Sequence, residues 1–106
     1  MRFGGFVRDE CAFDSRLFRM GSAESLSTDP QQRCLLSQVY AGVVAEGASL
    51  PSGMPPSRQR VGVTVGAQLL EYGQICARHG AGSAAFLASG CTLSVVAGRV
   101  AYALDL

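Results

Sequence analysis

With 106 residues the chain makes one small domain at most. Apolar residues account for 48% of it and charged residues for 16%, the composition of a mostly buried chain rather than a disordered one. The formal net charge is +1 and the arginines are scattered, so the electrostatic footprint of a nucleic-acid or anionic-membrane binder is lacking.

Residues 1–19 show no sustained period. Phe3, Phe6, Phe13, Leu17 and Phe18 are spaced like anchors of an irregular segment lying over a hydrophobic surface, with a short helical turn around Ser15 to Met20. A further turn is expected over 21–26, capped by Ser22. The strongest signal follows, in Thr28-Asp29-Pro30-Gln31-Gln32-Arg33-Cys34-Leu35-Leu36. Asp29 suits an N-cap, because its carboxylate accepts from free first-turn amides at the positive helix end. Pro30 suits the first helical position, where a missing N–H costs nothing. Gln32 falls where its side chain reaches back to the Asp29 amide in a capping box. Leu36, Val39 or Tyr40, and Val43 continue at helical spacing, widened by Leu35 and Val44, until Gly47 supplies a left-handed stop. The predicted helix, 30–46, is about 25 Å long.

Pro51, Gly53, Pro55 and Pro56 make 48–60 a loop. Val61, Val63 and Val65 alternate with small residues and predict a strand over 61–66, covered on both faces. A helix is expected from about Gln68 to Arg78, with Leu69, Tyr72 and Cys76 on one side. The Gly-x-Gly-x-x-Ala of Gly80 to Ala85 resembles a dinucleotide-binding turn, but no convincing strand precedes it and no acidic residue stands about 20 positions on. A flexible loop holding His79 is the expectation. The last helix starts near Thr92 or Ser94 and runs to Ala103, with Leu93, Val96, Ala97, Val100 and Leu104 as its apolar face. Gly98 inside it costs up to about 1 kcal/mol relative to Ala, which close approach of another backbone would explain. Arg99 requires either a partner, such as backbone carbonyls or a carboxylate at a subunit interface, or a place on the wet side of the helix. Arg99 and the glycines also argue against reading 84–106 as a membrane span.

Cys11, Cys34, Cys76 and Cys91 lack metal-type spacing, and His79 has no companion ligand nearby. Two disulfides are arithmetically open. No signal peptide is evident at Met1 to Gly5, so reduced, partly buried thiols are expected.

Asp29-Pro30-Gln31-Gln32-Arg33 followed by two leucines resembles the corresponding helix of β-ketoacyl synthase domains of polyketide synthases. Gly4-Gly5-Phe6-Val7, Phe13-Asp14 and Leu17-Phe18 resemble the lead-in to that helix. Val61 to Gly66 resembles the strand after it, and Glu71-Tyr72 an acidic-Tyr pair beyond. Ser89-Gly90, Ser94 to Tyr102 and Leu104-Asp105-Leu106 resemble the helix leading to the active-site strand. The pieces stand in family order over nearly the whole chain; around 21–26, where the family usually has Ser-Pro-Arg-Glu-Ala, this chain departs from it.

The resemblance implies an α/β, partial thiolase-like (αβαβα) fold, a fragment of the first half. Residues 1–106 would be an incomplete β-ketoacyl synthase N-terminal domain without the first strand and the active-site cysteine segment. A complete relative condenses acyl and malonyl thioesters with loss of carbon dioxide, in polyketide or fatty acid synthesis, as a homodimer served by an acyl-carrier protein with a phosphopantetheine arm. On that basis this chain binds no cofactor or metal, carries no catalytic residue and is inactive alone. Its functional candidates are architectural: Asp29, Pro30, Gln32, Arg33, Gly98 and Arg99. The implied location is cytoplasm or organellar stroma, without secretion. Two alternatives remain open at this point: a non-catalytic ketosynthase-like subunit with a dimerisation role, and an unrelated small α/β binding module. One strand with unpaired ladder groups cannot stand alone, so the chain reads as part of a larger fold.

Overall fold

A computed structural model describes residues 12–45, 62–68 and 71–104. Those residues form the helices α1 (Ser22–Ser27), α2 (Pro30–Tyr40), α3 (Tyr72–His79), α4 (Ala84–Gly90) and α5 (Val96–Ala103). A π-helical stretch, Ala41–Ala45, prolongs α2, and a 3₁₀ turn, Leu93–Val95, leads into α5. α1 packs on α4 and α2 on α5. Among the described residues the buried apolar side chains are Leu36 of α2, Cys76 of α3, and Val96 and Val100 of α5.

α2 starts as its sequence predicts. Asp29 has extended backbone (φ −52°, ψ 133°), Pro30 takes the first helical position, and Asp29 Oδ1 accepts from the Gln31 amide at 2.8 Å. The capping box does not form. Gln32 Nε2 and the Asp29 amide both donate to the Gly90 carbonyl, each at 2.9 Å. A backbone acceptor from α4 lies against the helix start, and this tertiary partner displaces the local reciprocal bond. The expected stop at Gly47 lies outside the described residues, as do Phe3, Phe6, Cys11, the 48–60 loop, Val61, Leu69 and Asp105.

Upstream of α2, Phe13 stacks on Phe18 with ring centroids 5.1 Å apart, and Phe18 meets Tyr40 edge-on at 5.9 Å. These rings fix the 13–19 segment to the end of α2, an anchoring role of the kind predicted for them. The segment is a turn. Asp14 Oδ1 accepts from the Arg16 and Leu17 amides at 3.0 and 3.2 Å, and Met20 N–H closes onto Ser15 O at 2.8 Å. α1 begins at Ser22, whose expected cap position is taken by Gly21.

The strand over 61–66 is not realised among the described residues, which contain helices and connections only. Val63 and Val65 are half-buried while Gly62, Thr64 and Gly66 are exposed, so the alternation is present. The ladder is missing: no backbone hydrogen bond joins 62–68 to another described residue. A strand requires a partner strand, and none stands among the described residues to define one. The α/β layering is therefore not visible here.

α3 starts at Tyr72, later than the Gln68 expected, and ends in a glycine stop. Gly80 is left-handed (φ 61°) and the Ala81 amide returns to Cys76 O at 2.9 Å. His79 thus closes α3, with Arg78, at the negative helix end rather than lying in a loop. The loop shrinks to 80–83, because Ala84 already opens α4, a helix that Gly and Ser signals concealed. A helix precedes the Gly-x-Gly-x-x-Ala, which removes the strand a dinucleotide turn needs. Among the described residues no single helix is long and apolar enough to cross a membrane, and α4 meets the Leu93–Ala103 segment at 71°.

Candidate functional site

Where α1 gives way to α2, four consecutive or near-consecutive polar residues are buried: Ser27 and Thr28 at 0% exposure, Asp29 and Gln32 at 2%. Polar groups survive burial only when partnered, and here the partners come from three helices. Ser27 Oγ donates to Ala23 O at 2.7 Å and accepts from the Ser83 amide at 2.8 Å, at the start of α4. Thr28 Oγ1 donates to Glu24 O at 2.8 Å, completing the last turn of α1. Tyr72 of α3 donates its hydroxyl to Leu26 O at 2.7 Å. The Cys91 thiol donates to Ser27 O at 3.6 Å, and the Gly90 carbonyl takes the Asp29 and Gln32 donors. The result is a latch that stitches the α1–α2 junction to α3 and to both ends of α4.

Gly90 makes the latch possible. A Cβ built there would lie 2.2 Å from Ser27 O and 3.0 Å from Thr28 Cα, so only glycine lets the two backbones meet. Gly98, by contrast, is exposed, and among the described residues nothing lies within 4 Å of a Cβ placed there. The close backbone approach expected at Gly98 belongs to Gly90.

Of the predicted candidates, Asp29, Pro30, Gln32 and Arg33 come together at the head of α2, and Arg33 acts electrostatically on Tyr72. Gly98 and Arg99 lie apart from them on α5. Arg99 has an intramolecular partner: its Nη1 reaches Glu24 Oε1 at 3.1 Å, with side-chain exposures of 14% and 29%. That pair ties α5 to α1. Asp29 Oδ2, Gln32 Oε1, Arg33 Nε and Arg99 Nε are buried and find no hydrogen-bond partner among the described residues. Ser27, Glu24, Gly90 and the latching role of Cys91 escaped the sequence reading. Their signal is faint: Ser27-Thr28 before a cap, and a glycine at a helix end.

The chemistry of the latch is positional. Burial pushes the Cys91 thiol up, and the Asp29 carboxylate and Cys76 push it further. A thiol held protonated is a poor nucleophile. Burial also raises the Tyr72 phenol, followed by its hydrogen bond to and charge interaction with Cys76, against a smaller opposing effect of Arg33. Cys34, Cys76 and Cys91 are all free thiols. Among the described residues no group of three or more His, Cys, Asp or Glu is placed to hold a metal ion. A cleft of about 290 Å³ separates α2 from the 65–68 segment and the start of α5, lined by Gln31, Gln32, Leu35, Val65, Leu93 and Val96.

The family model "Beta-ketoacyl synthase, N-terminal domain" matches residues 1–106. Non-reducing polyketide synthase SAT8 of Stachybotrys chartarum is 39% identical over 100 residues, which are 94% of this chain and 4% of that protein. Spectinabilin polyketide synthase system protein NorC of Streptomyces orinoci is 37% identical over 107 residues, 100% of this chain and 4% of that protein. Polyketide synthase ThaG of Burkholderia thailandensis is 39% identical over 106 residues, 99% of this chain and 2% of that protein. The chain thus spans a small part, 2–4%, of the length of these relatives. No solved structure matches.

Proposed function

The chain belongs to the family of β-ketoacyl synthase N-terminal domains, and from that membership we propose that it supplies scaffold to the first, thiolase-like half of a ketosynthase. In the whole enzyme that half would serve decarboxylative Claisen condensation of acyl and malonyl thioesters, with polyketide assembly favoured by the names of the relatives. An acyl-carrier protein with its phosphopantetheine arm, and a second ketosynthase copy, are the proposed partners.

The latch is the observation that carries this reading. Asp29 and Gln32, the polar side chains of the family-like Asp-Pro-Gln-Gln-Arg segment, turn inward and bond to backbone. Their hydrogen bonds hold helices in place. Covalent condensation needs a thiol with a lowered pKa and donors for the thioester oxygen. Cys91, the thiol in the latch, is shifted the other way, and no Thr-Ala-Cys-Ser occurs in the sequence.

Two assays test the proposal. Residues 1–106, incubated with acyl- and malonyl-carrier protein, should release no carbon dioxide above background, and turnover would overturn the architectural role. Residues 12–104 exchanged for the matching segment of a relative's ketosynthase should preserve condensation. A soluble, folded chimera without activity would overturn the family scaffold role.

A further inference from the structure

Met20 sits where three parts of the fold meet. Its amide closes the turn on Ser15 O at 2.8 Å, and α1 begins two residues later. Its Sδ lies 4.0 Å from Nη1 of Arg99, on α5. The same Nη1 donates to Glu24 Oε1 of α1 at 3.1 Å. Each terminal guanidinium nitrogen carries two N–H groups, so one serves the carboxylate and the other faces the thioether. The two contacts are unequal. A carboxylate accepts strongly from a cation, whereas thioether sulfur is a weak acceptor. Arg99 Nε is also buried and finds no hydrogen-bond partner among the described residues. The guanidinium therefore holds donor capacity that a thioether scarcely uses.

One added atom would use it. Oxidation turns the apolar thioether into a polar sulfoxide. An oxygen on Sδ can come nearer to Nη1 than the sulfur stands, into the range of about 2.7–2.9 Å of a charge-assisted bond. The three rotatable bonds of the methionine side chain let that oxygen turn toward the guanidinium. Met20 is half-buried rather than sealed, which leaves it open to an oxidant as small as a peroxide. Sulfoxide formation ordinarily disrupts packing; here the polar product meets a cation. We propose that Met20 is an oxidation site for peroxide, and that Arg99 holds its sulfoxide and so ties the turn to α5 more firmly than the thioether does. In the step, Sδ attacks one peroxide oxygen, and the S–O bond forms as the O–O bond breaks. Sulfur gives up two electrons, the peroxide takes them, and the departing hydroxide picks up the proton of the transferred oxygen to leave as water. The site is separate from the latch, and the inference does not depend on the family reading.

The test uses the 106-residue chain, treated with hydrogen peroxide, cleared of excess with catalase and unfolded in urea under circular dichroism. Peptide mapping should find one added oxygen on the peptide that contains Met20. Met1 and Met54 can take oxygen too, so Met20→Leu, treated alike, is the reference. Relative to that reference, oxidation should raise the parent's urea midpoint. The rise should vanish in Arg99→Leu, which removes the donors, and persist in Glu24→Gln, which keeps them. A measurement on the parent alone covers the case in which Arg99→Leu does not fold: the Arg99 side-chain N–H resonances should shift on oxidation and exchange more slowly with water. Met20 left unoxidised, a midpoint that falls relative to Met20→Leu, a rise that survives Arg99→Leu, or Arg99 resonances that stay in place would each overturn the proposal.

Discussion

Replacing Gly90 by alanine is the sharpest test of the latch, because two effects of opposite sign meet there. Gly90 ends α4, and on helix propensity alone alanine would stabilise by up to about 1 kcal/mol. The new methyl, however, would stand 2.2 Å from Ser27 O and 2.9 Å from Ser27 C. These are backbone atoms and cannot swing aside like a side-chain tip. Overpacking of this kind costs about 1–3 kcal/mol. Relief requires the Ser27–Thr28 backbone to withdraw from Gly90, stretching the two bonds that converge on the Gly90 carbonyl and the Cys91–Ser27 contact. Each bond contributes about 0.5–1.5 kcal/mol net. The sum favours destabilisation by about 3 kcal/mol, against which the propensity gain is minor. Gly98→Ala is the matched control: a glycine inside α5 with open space around it, expected to stabilise by about 0.5–1 kcal/mol. Urea unfolding followed by circular dichroism should therefore move the two midpoints in opposite directions. Equal midpoints for the two variants, or a Gly90→Ala chain as stable as the parent, would refute the close approach and the latch with it.

Gln32→Glu exchanges the donor to the Gly90 carbonyl for an acceptor beside Asp29 and should cost about 2 kcal/mol or more in the same assay. Gln32→Met, which also removes an Oε1 with no hydrogen-bond partner among the described residues, should cost less than Gln32→Glu. For pH, the Cys91 and Tyr72 values are both raised in the folded state. The folded chain then holds these protons more tightly than the unfolded one, so stability is full below the unfolded thiol value of about 8.5 and declines as pH rises through the folded values. Cys91→Ala should flatten the first part of that alkaline decline, seen in melting curves from about pH 7 to 10. The Arg99–Glu24 pair is part-exposed, so Glu24→Gln should cost about 1 kcal/mol at low salt and less at about 1 M salt, where screening shortens its reach.

Local signals in the sequence were enough wherever a structure is closed by its own neighbours. Asp29 caps α2 through the Gln31 amide, the aromatic rings at 13 and 18 act as anchors, Cys76 takes the inner side of α3, and Val96 and Val100 share the inner face of α5. Each of these follows from side chains within a few residues, where cap chemistry and helical periodicity act. The family, too, was legible in the order of short motifs. The sequence could not say whether the valine alternation at 61–66 would pair, since a ladder needs a second strand. It did not show that Gln32 would leave its capping box, that Gly90 rather than Gly98 carries the backbone contact, or that Arg99 would find Glu24 some 75 positions away. Those outcomes depend on distances between elements far apart in the chain. A buried carbonyl or guanidinium takes whichever partner the folded backbone sets within about 3 Å, and only the tertiary arrangement decides which one that is.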